Sequence, residues 1–326
     1  MKIGVFSILF NDQSLDTCLD MFVTKGIEAV ELGCGGYSLS NHCDAPLLLS
    51  DPKSLAQYRN AFDSRGLVIS ALSAHGNPIH PDKAYAARHH AQFEDAVRLA
   101  SELNVDTVLL LSGCPGGSPG DATPNWVTCT WPEDFARIHQ YQWEEVLIPY
   151  WKKAVEFARP YGVTKLAIEP HPGFCVYNTE TMLKLRSAVG PEIGINFDPS
   201  HLFWQGIDPS EAILALGDCI FHVHAKDTEL NPRNIRVNGV IETKGYDRLV
   251  DRSWLFRTVG YGQSLEVWRA MMSAFAKVGY DHVLSIEHED ALMSREEGFS
   301  KAVEFLKQVV IAERPQVKWW ELRAEG

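Results

Sequence analysis

The chain has 326 residues, 45% hydrophobic and 22% charged, enough for one large α/β barrel or two ordinary domains. A formal net charge of −12 with no run of basic residues argues against nucleic acid as a main partner, and no stretch approaches the ~18–20 apolar residues of a membrane span. Seven scattered cysteines without a CxxC pair, and a start (Met1–Phe6) lacking the apolar block of a signal peptide, fit a cytoplasmic protein with reduced thiols.

In chain order, short runs rich in Val, Ile and Leu alternate with segments of helical periodicity. The strand at Ile3–Leu9 precedes a helix at Leu15–Lys25, Ala29–Leu32 precedes Ser54–Arg65, and Leu67–Leu72 precedes Tyr85–Leu103. Val105–Leu111 is followed by Trp143–Arg159, Lys165–Glu169 by Glu180–Val189, and Ile193–Asp198 by Pro209–Leu216. Ile220–Ala225 with Leu265–Lys277, and Val283–Glu287 with Arg295–Val310, complete the series. Ser14, Thr179 and Ser294 (the last with Glu297 three residues on) supply helix-start signals. Eight such units predict a (β/α)8 TIM barrel over residues 1–313, with a tail at 314–326 carrying Trp319 and Trp320. The competing doubly wound sheet calls for a glycine-rich phosphate turn after the first strand, and Ser7–Asp12 has none. Two long loops, 113–140 and 226–263, leave the C-terminal ends of strands, where barrel enzymes build their sites.

The last four strands carry the chemistry. They end in Glu169, Asp198, His224 and Glu287, and two-residue alternation pairs these with Ala167, Asn196, His222 and Ser285 on the same face. Three carboxylates at one barrel mouth repel unless a cation or a proton intervenes. One imidazole with three carboxylates suits a single divalent ion, Mn²⁺ foremost, with Mg²⁺, Co²⁺ or Zn²⁺ as alternatives. His222, one step deeper, reads as a hydrogen-bonded barrel histidine.

The segments IEPHPG (168–173), NFDPSHLFWQG (196–206), HVHAKD (222–227) and SIEHED (285–290) resemble the xylose-isomerase-like barrel superfamily, specifically the sugar phosphate isomerases/epimerases, and the resemblance runs essentially full length. It implies that Glu169, Asp198, His224 and Glu287 bind the metal, that His201 contacts substrate oxygens, and that Glu169 and Glu287 also move protons. A metal-dependent sugar isomerase or epimerase working through an enediolate is the activity it implies. The related C-glycoside deglycosidase α subunits share the pattern. They imply an alternative, a lyase on 3-keto-glycosides working with a small β subunit, and a non-catalytic metal- or sugar-binding barrel is a third reading. The chain lacks a glycine-rich phosphate cradle, and its acidity separates it from the multi-metal endonuclease branch.

Further candidates follow from position. His139, closing the fourth loop, could reach over a substrate as a mobile acid/base. His75 and Glu31 end strands at the same face and offer hydrogen bonds to hydroxyls, while His171 stands close behind Glu169 as a brace or a substrate contact. Lys226 is read either as a substrate contact or as the partner of Asp227 in a structural ion pair. Trp204 and other aromatics near strand ends suit the C–H faces of sugars or an aromatic aglycone. The expected partners are a small carbohydrate or glycoside and either a second copy of the chain or a small second subunit.

Overall fold

The computed structural model describes residues 1–313 and 315, so Trp319 and Trp320 lie outside the described residues. Strand β1 (Lys2–Phe6) is followed by α1 (Leu15–Lys25), β2 (Ala29–Gly33) by α2 (Ala45–Ser50) and α3 (Pro52–Asp63), and β3 (Val68–Ser73) by α4 (Lys83–Leu103). Next come β4 (Thr107–Leu111) with α5 (Glu133–Tyr141) and α6 (Ile148–Ala158), and β5 (Lys165–Glu169) with α7 (Thr179–Val189). β6 (Ile193–Phe197) precedes α8 (Pro199–Phe203) and α9 (Pro209–Leu216). β7 (Ile220–Ala225) leads through an excursion, β8 (Asp227–Leu230), α10 (Pro232–Asn238) and β9 (Trp254–Arg257), to α11 (Leu265–Val278). β10 (Val283–Ile286) and α12 (Arg295–Val309) close the series.

The parallel strands form a closed barrel in the order β1-β10-β7-β6-β5-β4-β3-β2. Strands such as β2, β4 and β6 are buried at every position, because helices cover the outer face and side chains fill the inner one. Opposite Ile195 and Asn196, β7 presents Ile220 and His222, so Phe221 is an extra residue in the ladder. Its ring packs with Ala71, Leu109 and Ala167 at the barrel centre. A Cβ at Gly194 would stand 2.2 Å from that ring, so this approach requires glycine. No helix among the described residues is long and apolar enough to cross a membrane.

Both long loops are built rather than open. The fourth folds into α5 and then a π-helical turn (142–147), one element earlier than the helix expected from Trp143. The buried Gln142 side chain donates from Nε2 to the carbonyls of Pro115, Gly116 and Asn125, tying the loop to its own helix. The seventh forms the antiparallel β8–β9 ladder, which places Trp254 and Phe256 beside Trp204. Ser14 and Ser294 cap α1 and α12 as expected, whereas α7 is capped by Asn178 in a reciprocal pair with Thr181 and not by Thr179.

Candidate metal and active site

Strand ends converge on a cavity of about 670 Å³ at the C-terminal mouth of the barrel, within the range that holds small-molecule ligands. Glu169, Lys226, Glu287, His75 and His171 line it, with Phe6, Ile8, Leu9, Leu111 and Phe174 as apolar wall. Asp198 and His224 lie just beneath, almost wholly buried. The strand alternation expected from sequence therefore brings all four candidate ligands into one cluster.

The contacts are short. His224 Nδ1 is 2.9 Å from Glu287 Oε2 and 3.3 Å from Glu169 Oε2. Asp198 divides its two oxygens. Oδ1 accepts the Ser200 N–H at 2.8 Å and caps α8, which leaves Oδ2 for the site. That Oδ2 is 3.1 Å from Lys226 Nζ and 3.4 Å from His201 Nε2. Glu169 is held from three sides, by Asn196 Nδ2 at 3.0 Å, His75 Nε2 at 3.1 Å and His201 Nε2 at 3.2 Å.

Four of these buried atoms, Asp198 Oδ2, Glu287 Oε2, His201 Nε2 and His75 Nε2, lie at ion-pair distance yet make no directed hydrogen bond. Buried polar groups ordinarily find such partners, and their joint failure here fits a donor set gathered around an ion. Asp198, His224 and Glu287 each offer a ligand atom within 4.8 Å of the others, and Glu169, Asp198 and His201 do the same. The two sets share Asp198. A third set, Glu31, His222 and His224, lies deeper, but its spare atoms are taken. His222 bonds to Asn196 Oδ1 at 3.1 Å and to Ser70 Oγ at 3.3 Å, and burial pushes its pKa down to about 4, as suits a neutral barrel histidine.

Charge points the same way. Burial works against ionisation of Glu169, but the imidazoles of His201, His224 and His75, 3.1–3.3 Å from its oxygens, hold its carboxyl well below the usual range. Burial likewise works against a charged His224, and the Glu31 and Glu287 carboxylates overcome it, so its pKa lies well above the ordinary value. Four carboxylates (Glu31, Glu169, Asp198, Glu287) thus face Lys226 and, while it keeps its proton, His224, an excess of negative charge that a divalent ion reduces.

Several expectations change. Glu31 reaches no substrate space. It is completely buried, accepts from Ser73 Oγ at 2.6 Å and Ser285 Oγ at 2.7 Å, and stands 3.0 Å from His224 Nε2. Burial would raise its pKa, yet His224 brings it down to about 2. Glu31 therefore braces the imidazole whose other nitrogen faces Glu287 and Glu169, the carboxylate–histidine arrangement common behind metal ligands. Lys226 and Asp227 form no ion pair with each other. Lys226 contacts Asp198, Glu287 and Glu289, while Asp227 Oδ2 accepts backbone N–H groups of Gly260, Gly262 and Gln263 and the Trp268 indole. His171 does not brace Glu169. Its Nδ1 is 2.6 Å from the Pro172 carbonyl, its ring packs 4.1 Å from that of His201, and burial holds its pKa at about 3. His139 lies on α5 against Trp143, near Lys184, and does not line the cavity. Trp204 lines a separate recess beside His201 and His171. Asn196, which holds both Glu169 and His222, is a site residue that ligand-type reasoning passes over. Its signal was its inward position beneath Asp198.

Residues 23–309 match the sequence profile of the family described as xylose isomerase-like TIM barrel. The chain belongs to that family. The uncharacterised protein YfiH of Bacillus subtilis is 38% identical over 313 residues, covering 95% of this chain and 99% of its own. Two solved structures share the fold. The IolI protein with a bound zinc atom aligns with TM-score 0.64 and 20% identity over 95% of this chain and 98% of its own. The 3-keto-D-glucoside 4-epimerase YcjR of E. coli aligns with TM-score 0.64 and 12% identity over 94% and 99%.

Proposed function

We propose that this xylose isomerase-like barrel is a divalent-metal-dependent sugar isomerase or epimerase that abstracts a proton next to a carbonyl. The observation that carries the reading is the cluster of Glu169, Asp198, His224 and Glu287, with undirected carboxylate and imidazole atoms at the floor of a sugar-sized cavity. The zinc atom in the IolI structure and the epimerase named among the structural neighbours support it.

In this reading the four residues hold one ion, Mn²⁺ foremost, which when bound polarises neighbouring sugar oxygens and offsets developing negative charge. The protein's own groups do the rest. Glu169 and Glu287 both line the cavity and both approach His224 Nδ1, so both carboxylates are at hand beside the bound sugar, one to accept the proton and the other to return it. His75 and His201, one on each oxygen of Glu169, orient that carboxylate, and His75, which lines the cavity, contacts a substrate hydroxyl. Lys226 and His171 bind further oxygens from the cavity wall. The apolar side formed by Phe6, Leu111 and Phe174 meets the C–H face of the sugar and keeps water from the reacting carbon.

The test is solvent-deuterium incorporation into a panel of free ketoses and keto-glycosides with Mn²⁺ added. Deuterium is expected at the carbon next to the carbonyl, with exchange abolished by EDTA. Absence of exchange on every substrate would overturn the assignment and leave a binding barrel. Loss of an aglycone is the second reading, favoured by the aromatic recess beside His201, and analysis of the product distinguishes it from isomerisation.

A further inference from the structure

The loops that leave β4 and β5 meet beside the reaction cavity, and each carries a buried cysteine at the meeting point, Cys114 and Cys175. The backbone sets them together. Cys175 N–H donates to the Gly113 carbonyl at 3.0 Å, and Val176 N–H donates to Ser112 Oγ at 2.9 Å. With standard bond lengths, that 3.0 Å contact leaves the Cα atoms of Cys114 and Cys175 at most about 6.7 Å apart. Disulfides usually span roughly 4.4–6.8 Å between Cα atoms, so the backbone as it stands can carry a bridge. Asn77 clamps Cys114 from another side, accepting its N–H at 3.1 Å and donating to its carbonyl at 2.8 Å.

The two thiols are unequal. Cys114 turns its own S–H to the Pro115 carbonyl at 3.7 Å, which leaves its sulfur lone pairs to Cys175. The Cys175 thiol donates to that sulfur and holds Cys114 below the ordinary thiol pKa; burial opposes this, and the Asn125 N–H adds to it. The same contact, together with burial, holds Cys175 well above the ordinary value. Burial alone does the opposite to a thiol of what Cys114 shows, pushing Cys18 up to about 11. A thiol that ionises readily, with a protonated one beside it, suits attack on a peroxide followed by capture of the oxidised sulfur.

We infer that Cys114 and Cys175 form a modification site, a dithiol that hydrogen peroxide converts reversibly to a disulfide bridging the β4 and β5 loops. The Cys114 sulfur attacks one peroxide oxygen and the O–O bond breaks. The departing hydroxide takes up the proton that the thiol has lost and leaves as water, giving the sulfenic acid. The Cys175 sulfur then attacks the Cys114 sulfur. The S–S bond forms, the S–O bond breaks, and the hydroxyl departs with the Cys175 proton as a second water. Two electrons pass from the sulfurs to the peroxide, and a thiol reductant restores them. Leu111 and Phe174, close to the two cysteines in sequence, both line the cavity, so the bridge ties two of its walls together. Neither sulfur belongs to the metal cluster, and the reaction needs no ion.

Peptide mapping of the full chain after exposure to hydrogen peroxide tests it. A Cys129→Ser background removes the exposed thiol and leaves one cysteine in each of the tryptic peptides 99–137 and 166–184. These two peptides are expected to be linked, with Cys18, Cys34, Cys43 and Cys219 still open to alkylation, and dithiothreitol should separate them. By closing a loop of about 60 residues, the bridge should raise the melting temperature by several degrees. In a Cys175→Ser variant, dimedone should trap Cys114 as the sulfenic acid, whereas in Cys114→Ser the Cys175 thiol should stay unoxidised; circular dichroism shows that each is folded. Should either variant fail to fold, the linked peptides of the parent protein still decide. The inference is overturned if both peptides remain alkylated after about tenfold the exposure that oxidises wild-type Cys129, since burial slows a thiol. It is also overturned if folded Cys114→Ser still loses two thiols, or if the bridge lowers the melting temperature. Mapping is done on metal-free protein, so its outcome and that of the deuterium-exchange test are independent.

Discussion

Replacing Glu31 by Gln removes one negative charge from the floor of the barrel while keeping the side chain's shape. The carboxylate accepts from Ser73 and Ser285 and faces His224 Nε2 at 3.0 Å. An amide has one acceptor oxygen for these three donors and turns its NH₂ toward at least one of them. That leaves one buried donor unsatisfied, a cost of about 1–3 kcal/mol in stability. The functional cost falls on His224, which loses the partner that fixes its ring and raises its basicity. Loss of such support typically weakens metal binding about 10–100-fold. Manganese titration by calorimetry, with circular dichroism to show that the variant is folded, measures the effect, and activity at saturating manganese should recover to within about tenfold of wild type if Glu31 acts through His224. A folded Glu31→Gln protein that binds manganese within twofold of wild type would refute the reasoning.

Glu169→Gln, Asp198→Asn, His224→Ala and Glu287→Gln should each strip the metal or abolish turnover, read by metal content and deuterium exchange; normal values in two of them would contradict the ligand assignment. Metal binding should release about one proton near neutrality, because His224 carries a raised pKa without metal and must lose its proton to become a ligand. Affinity should therefore rise with pH up to that pKa, and binding enthalpies in phosphate and Tris should differ by their ionisation enthalpies. Lys226→Met should bind manganese at least tenfold more tightly, since the ammonium that occupies Asp198 and Glu287 is gone, yet turn over more slowly; weaker binding would show that Lys226 supports the ion.

What the sequence discloses follows from how local the cause is. Continuous apolar runs and two-residue alternation are properties of single strands, so the barrel and the convergence of Glu169, Asp198, His224 and Glu287 could be read from them. Glu31 could not be placed that way. Its partners Ser73, Ser285 and His224 come from β3, β10 and β7, and only closure of the barrel sets them around one carboxylate. Inward serines below a charged rim were the available sign, since buried hydroxyls need acceptors. The β8–β9 ladder is four residues long on each side, too short for a periodic signal, so the stacking of Trp254 on Trp204 emerges only in three dimensions. Asp227 follows Lys226 directly, and adjacency suggested a pair; strand alternation instead points the two side chains apart, one to the cavity and one to the backbone turn at 260–263.

The most direct test of the account is anomalous diffraction from crystals soaked in manganese. A single peak within coordination distance of Glu169, Asp198, His224 and Glu287 is predicted, with Glu31 on the far nitrogen of His224. No peak at saturating manganese, or one seated at Glu31 and His222 instead, would contradict it.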